Sequence, residues 1–131
     1  MKLETDGIYM KDMESLLMMY FILDQCYWKD QEDMMGAFLG EISPDLLTDG
    51  RPADEAVLGD WKKSIPIPIK NLTNENILQY IRSFLEDYQK EFGSGRPFEK
   101  TLKRLQEVSE EDIREAAIKT KTAYNKYHYD D

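Results

Sequence analysis

Carboxylates are the most abundant side chains in this sequence that could carry out chemistry, and many lie between Gly36 and Trp61. This stretch reads GAFLGEISPDLLTDGRPADEAVLGDW. It offers five candidates for a metal site or an acid/base pair: Asp45, Asp49, Asp54, Glu55 and Asp60. Their spacing does not match an EF-hand loop, and none stands at helical spacing from a histidine. The pattern therefore favours helix capping and a solvated surface over catalysis.

Other reactive groups are scarce. His128 is the only histidine, and it lies in a polar, aromatic tail that we expect to fray, so it is a poor general base. Cys26 is the only cysteine; it falls in an apolar segment, which favours a buried packing role over a reactive thiol. A zinc site needs several such ligands. We therefore expect no enzymatic activity, no metal and no cofactor.

The elements that must position these groups are helices. Apolar residues recur at spacings of three and four, which predicts an all-α bundle of about five to six helices in one domain over residues 1–131. The first predicted helix is apolar nearly all round, as is typical of a central helix. The predicted helices cover residues 9–30, 32–42, 55–64, 74–92, 98–106 and 110 to about 124.

Local signals define the ends of several helices. Asp54, Thr73 and Ser109 are predicted N-caps, and Ser109 with Asp112 has the spacing of a capping box. The segment from Ile65 to Ile69 alternates isoleucine with proline, so it cannot be helical. We expect an extended connector whose isoleucines pack onto the core.

The charge is unevenly distributed. Residues 1–60 hold fourteen acids and four bases, a net charge of −10, whereas residues 61–131 hold twelve acids and thirteen bases, a net charge of +1. A field of this sign repels nucleic acid and anionic membranes and attracts a basic protein. An acidic surface of this kind also keeps a protein soluble without binding any partner. Both interpretations remain open.

The passage from Glu41 to Trp61 resembles immunity proteins of contact-dependent growth inhibition and related bacterial polymorphic toxin systems. The resemblance is to a pattern Asp-Gly, Ala-Asp, Ala and Asp-Trp, followed by an extended connector and a long amphipathic helix. Glu55 replaces a proline that is usual in the pattern. The matching residues are Asp49, Gly50, Ala53, Asp54, Ala56, Asp60 and Trp61.

The resemblance implies a non-enzymatic protein that binds one cognate toxin C-terminal domain, a basic nuclease, and occludes its active site or substrate groove. Within the motif, Asp54 is assigned to capping, and Trp61, Ala56, Leu46 and Leu47 are assigned to packing. Four acids are the candidates for contacting the partner: Glu41, Asp45, Asp49 and Asp60.

The alternative is a helical adaptor or regulatory subunit of another bacterial complex, in which the first helix would form a homodimer interface. In either case we expect a monomer or weak dimer in the cytoplasm. The N-terminal sequence has no signal pattern, and the longest apolar run, Leu16 to Leu23, is too short to cross a membrane.

Overall fold

A computed structural model describes residues 11–44, 52, 54–68, 71–73, 76–90 and 97–127. Within these ranges the protein is a small all-α bundle of six helices with no strand, which confirms the predicted fold class. The helices are α1 (Asp12–Asp30), α2 (Asp33–Ile42), α3 (Ala56–Ser64), α4 (Ile77–Gln89), α5 (Glu99–Leu105) and α6 (Glu110–Tyr127).

Helix α1 occupies the centre of the bundle, as its apolar surface predicts. It contacts α2, α3, α5 and α6. It runs antiparallel to α6: Gln25 Nε2 donates to the carbonyl of Asp112, and Thr120 Oγ1 lies 3.6 Å from Met18 Sδ. Its buried residues face several directions: Met13, Ser15, Leu16, Leu17, Met18, Met19, Ile22, Leu23 and Cys26. A helix with neighbours on several sides needs this arrangement.

Helix α3 is held against α1 and α4 by Trp61, which is fully buried. The indole ring packs edge-to-face on Phe84 with 5.6 Å between ring centroids, and its Nε1 donates to Ser15 Oγ. Val57, one helical turn earlier, is also buried. The assignment of Ala56 to packing is wrong: Ala56 is exposed, because Val57 and Trp61 set the buried side of the helix and Ala56 points away from it.

The turn between α1 and α2 is fixed to α5 by two acidic side chains. Gln31 ends α1 in the left-handed conformation, with a φ of 50°. Just before it, Asp30 forms a two-pronged ion pair with Arg104 at 2.8 and 3.0 Å. Just after it, Glu32 accepts hydrogen bonds from the backbone N–H groups of Lys100 and Thr101. The turn therefore supplies the cap that α5 lacks in its own sequence.

The predicted capping residues contact the starts of their helices, although Glu55 and Asn76, one and three residues after Asp54 and Thr73, occupy the N-cap positions of α3 and α4. Asp54 Oδ1 accepts from the N–H of Ala56, and Thr73 Oγ1 accepts from the N–H of Asn76. Ser109 and Asp112 exchange two backbone-to-side-chain hydrogen bonds of 3.0 and 3.1 Å, which is a complete capping box. These short-range contacts define the orientation in which each helix leaves its preceding loop.

The connector after α3 is non-helical over residues 65–68, as predicted, with Ile65 buried and Ile67 packed against the core. Helix α2 ends at Ile42, directly before Ser43 and Pro44, which is also as predicted. The predicted start of α1 at residue 9 is wrong, because Lys11 has an extended backbone at the N-cap and the helix begins at Asp12. The predicted end of α4 at residue 92 lies outside the described residues. Of the described helices, none combines the length and the hydropathy that a transmembrane span requires.

Candidate functional site

A groove of about 240 Å³ lies between α3 and α4 and is the larger of the two cavities described below. Asp60, Lys63 and Ser64 line it from α3. Phe84, Asp87 and Tyr88 line it from α4. Asp60 is one of the four acids that the sequence singles out, and the structure places it in a concave surface.

The base of the groove is an aromatic cluster. Tyr88 is half-buried and contacts Phe38, Phe84 and Phe98, with 5.3 to 6.0 Å between ring centroids. Phe84 in turn contacts Trp61. Rings packed against each other in this way give the groove a continuous aromatic base.

Its rim is charged and solvent-exposed. Asp60, Lys63 and Asp87 are all exposed, and Asp87 forms an ion pair with Lys90 one turn later at 3.4 Å. That pair is long and open to solvent, so it holds the two side chains only weakly. The Ser64 hydroxyl donates to the carbonyl of Trp61. The groove therefore presents two carboxylates, contributed by different helices, above an aromatic surface.

Glu41 lies beside the start of α3 and differs from Asp60 in its environment. It is half-buried, its Oε2 is buried without a hydrogen-bond partner, and its backbone carbonyl accepts from the N–H of Asp54. Desolvation raises the pKa of the Glu41 carboxyl, and the nearby charge of Asp54 raises it further. Asp54 thus caps α3 and also repels Glu41.

The two remaining candidates, Asp45 and Asp49, lie outside the described residues, as do Leu46 and Leu47. Of the nine motif residues that were given a role, the structure therefore describes five: Glu41, Asp54, Ala56, Asp60 and Trp61. It brings Glu41 and Asp54 together at the start of α3, and it places Asp60 and Trp61 further along the same helix, on its exposed and buried sides.

The lone cysteine is a core residue, and His128 lies outside the described residues. Cys26 is buried, and burial raises the pKa of its thiol to about 12, so it is an inert core residue as predicted. The second cavity, beside it, measures only about 10 Å³ and is lined in part by Gln25, Arg104 and Asp112. Among the described residues no group of three or more His, Cys, Asp or Glu side chains is arranged to hold a metal ion.

Sequence reasoning did not identify Lys63, Asp87 and Tyr88 as site residues. The spacing of Asp60, Lys63 and Ser64 on the exposed side of α3 is visible in the sequence. The position of Asp87 and Tyr88 opposite them depends on how α3 packs on α4, and no local pattern specifies that.

Comparisons with known proteins do not assign a function to this chain, so the assignment rests on the residues and their geometry. No protein-family model, no curated protein and no solved structure matches this chain.

Proposed function

We propose that this protein is an immunity protein: it binds the C-terminal domain of one cognate bacterial toxin in the cytoplasm and neutralises it. The toxin domain is a nuclease with a basic substrate groove, and the bound protein occludes its active site or that groove. The action needs surface complementarity and no chemistry of its own.

The observation that carries the proposal is the distribution of charge. The net charge of residues 1–60 is −10, and within them α1, α2 and residues 56–60 of α3 hold seven acids against one base. Asp33, Glu55 and Asp60 are exposed there, and Asp60 lines the groove. A nuclease binds phosphates with Lys and Arg, so an acidic surface competes for the same side chains and speeds encounter.

A second candidate function, a homodimeric adaptor formed through α1, has one observation in its favour. Trp28 on α1 is 68% exposed, which is unusual for so large an apolar side chain. However, nine of the nineteen residues of α1 are already buried within one copy of the chain, which reduces the area left for a dimer. The adaptor reading predicts a dimer that Trp28→Ser dissociates, and sedimentation of both proteins measures it.

The experiment that tests the immunity function is co-expression with the C-terminal domain of the toxin encoded next to this gene. We expect cells to survive the toxin domain only when this protein is present, and the two proteins to elute together on gel filtration. A non-cognate toxin domain is the control and should still kill. Continued killing by the cognate domain, with no complex on the column, would rule the proposal out.

Association kinetics provide a separate check on the role of charge. If the acidic half makes the encounter, the association rate constant should fall steeply as salt is raised from low to physiological concentration. Reversing Glu41, Asp45 and Asp49 to Lys should slow association and flatten that salt dependence. Unchanged kinetics would move the interface to the C-terminal helices.

A further inference from the structure

We propose that the groove between α3 and α4 receives one arginine side chain of the partner, with its guanidinium stacked on Tyr88 and paired with Asp60 and Asp87. This inference rests on the proposed function, because it assigns the arginine to the toxin domain. It identifies which of the acidic residues form a specific contact and which act only through the general field.

The chemistry of the groove selects a guanidinium. Ionised carboxylates only accept hydrogen bonds, and Asp60 and Asp87 reach the groove from two different helices. Tyr88 adds a half-buried aromatic ring beside them. Arginine is planar, donates several hydrogen bonds in a fork and is weakly hydrated, so it pairs with carboxylates and stacks on rings at the same time. A lysine ammonium satisfies the charge but not the stacking.

The size of the groove favours a side chain over a free small molecule. Pockets for drug-sized ligands start at about 300 Å³ and enclose most of the ligand, whereas this groove measures about 240 Å³ and is open to solvent between two helices. A side chain delivered by a docked protein does not need an enclosed pocket, because the rest of the interface excludes water around it.

Two local cations modulate the site. Lys90 pairs with Asp87 across 3.4 Å, with both side chains largely exposed, so an incoming guanidinium can displace it at small cost. Lys63 lines the groove one turn after Asp60 and opposes a cationic ligand. Removing the Lys63 charge therefore strengthens arginine binding. If the groove bound an anion instead, removing that charge would weaken binding.

The first experiment needs no toxin. A free arginine analogue lacks the surrounding interface and binds only weakly, so N-acetyl-arginine amide is titrated to millimolar concentration into the ¹⁵N-labelled protein and amide shifts are recorded, with N-acetyl-lysine amide as the matched probe. We expect shifts confined to the second halves of α3 and α4, larger for the arginine probe. They are lost in Asp60→Asn/Asp87→Asn and retained in Glu55→Gln/Glu86→Gln, which removes two exposed acids from the same region of the chain. Absent or scattered shifts, or equal loss in both double variants, overturn the inference.

The second experiment uses the toxin domain. Asp60→Asn/Asp87→Asn should weaken its affinity at least about tenfold, as expected for a hot-spot contact, and Lys63→Met should strengthen it. Glu55→Gln/Glu86→Gln should change it by less than about threefold, as exposed rim charges do. If the wild-type protein does not bind the toxin domain, the proposed function is wrong, and the arginine titration still tests whether the groove binds a guanidinium. Wild-type binding with no loss in the Asp60/Asp87 variant overturns the groove alone.

Discussion

The indole N–H of Trp61 donates a hydrogen bond to Ser15 Oγ across 2.9 Å, inside the contact between α3 and α1. Both side chains are fully buried, and the Ser15 hydroxyl itself donates to the carbonyl of Asp12 at 2.7 Å. The indole N–H of Trp61, the largest side chain in the core, thus has its hydrogen-bond acceptor in a single serine. Together with the burial of Val57 and Trp61, this bond orients α3 so that Asp60 lies on its exposed side.

The first prediction concerns that serine. Ser15→Ala leaves the indole N–H of Trp61 buried without an acceptor, and we expect it to lower the free energy of unfolding by about 1–3 kcal/mol. Thr122→Ala is the control, because that hydroxyl is exposed and bonds only to its own helix. It should change stability by less than about 0.5 kcal/mol. Urea denaturation measures both, and equal losses would mean that the buried bond is not specific.

The second prediction concerns Glu32. Its carboxylate accepts from the N–H groups of Lys100 and Thr101 and from the Thr101 hydroxyl, so it caps α5 from another part of the chain. We expect Glu32→Ala to cost about 0.5–2 kcal/mol, the usual range for a lost N-cap. It should also speed hydrogen exchange at the amides of Lys100 and Thr101. Glu115→Ala, an exposed position within α6, is the control; if it matches Glu32→Ala in both measurements, the cap has no energetic role.

Local sequence patterns predicted the parts of this fold that local contacts determine. The apolar surface of α1 indicated its central position, and the Ser109–Asp112 spacing indicated the start of α6. The cap on α5 could not be predicted in this way, because Glu32 is 68 residues from Lys100 and matches no capping pattern there. The same limit applies to Ser15. In the sequence it is a small polar residue in an apolar helix, and its role as acceptor for Trp61 follows only from the packing of α3 on α1.

The residues of the candidate site also differ in whether the sequence alone could predict them. Asp60 was identified from the charge of its segment and the motif around it, and Trp61 was identified as an anchor. Asp87 and Tyr88 complete the groove only because α4 packs against α3. Helix packing depends on the side chains of both partners, so single-sequence periodicity shows which side of each helix is buried but not which helix covers it.

The third prediction compares two glycines of α2. A Cβ on Gly36 would lie 2.8 Å from the Cε1 atom of Tyr27, whereas a Cβ on Gly40 would meet nothing within 4 Å. Gly40→Ala should stabilise the protein by about 0.5–1 kcal/mol, because alanine restricts the unfolded chain and favours helix. Gly36→Ala should destabilise it by about 1–3 kcal/mol, because the Tyr27 ring must move away from α2. Thermal denaturation gives the signs, and the same sign for both would refute the close packing.

The fourth prediction is a pH dependence at Glu41. Desolvation, and then the charge of Asp54, raise the pKa of Glu41 above its ordinary value of 4.5. A raised pKa means that the folded state prefers the protonated acid. The stability contributed by this group is therefore present below pH 4.5 and lost as the pH rises through the folded-state pKa. Glu41→Gln should be more stable than the wild type at pH 7, and the difference should shrink as the pH falls towards 4.

Asp30 is the matched control for Glu41 because its pKa moves in the opposite direction. The hydrogen bonds from Arg104 hold the pKa of the Asp30 carboxyl below its ordinary value of 3.8. Its contribution to stability is therefore present above pH 3.8 and lost as the pH falls through the lower, folded-state pKa. Asp30→Asn should be less stable than the wild type at pH 7 and approach it only in strong acid. Urea midpoints of all three proteins between pH 3 and 8 measure this, and parallel curves for the two variants would contradict the opposite environments of the two carboxylates.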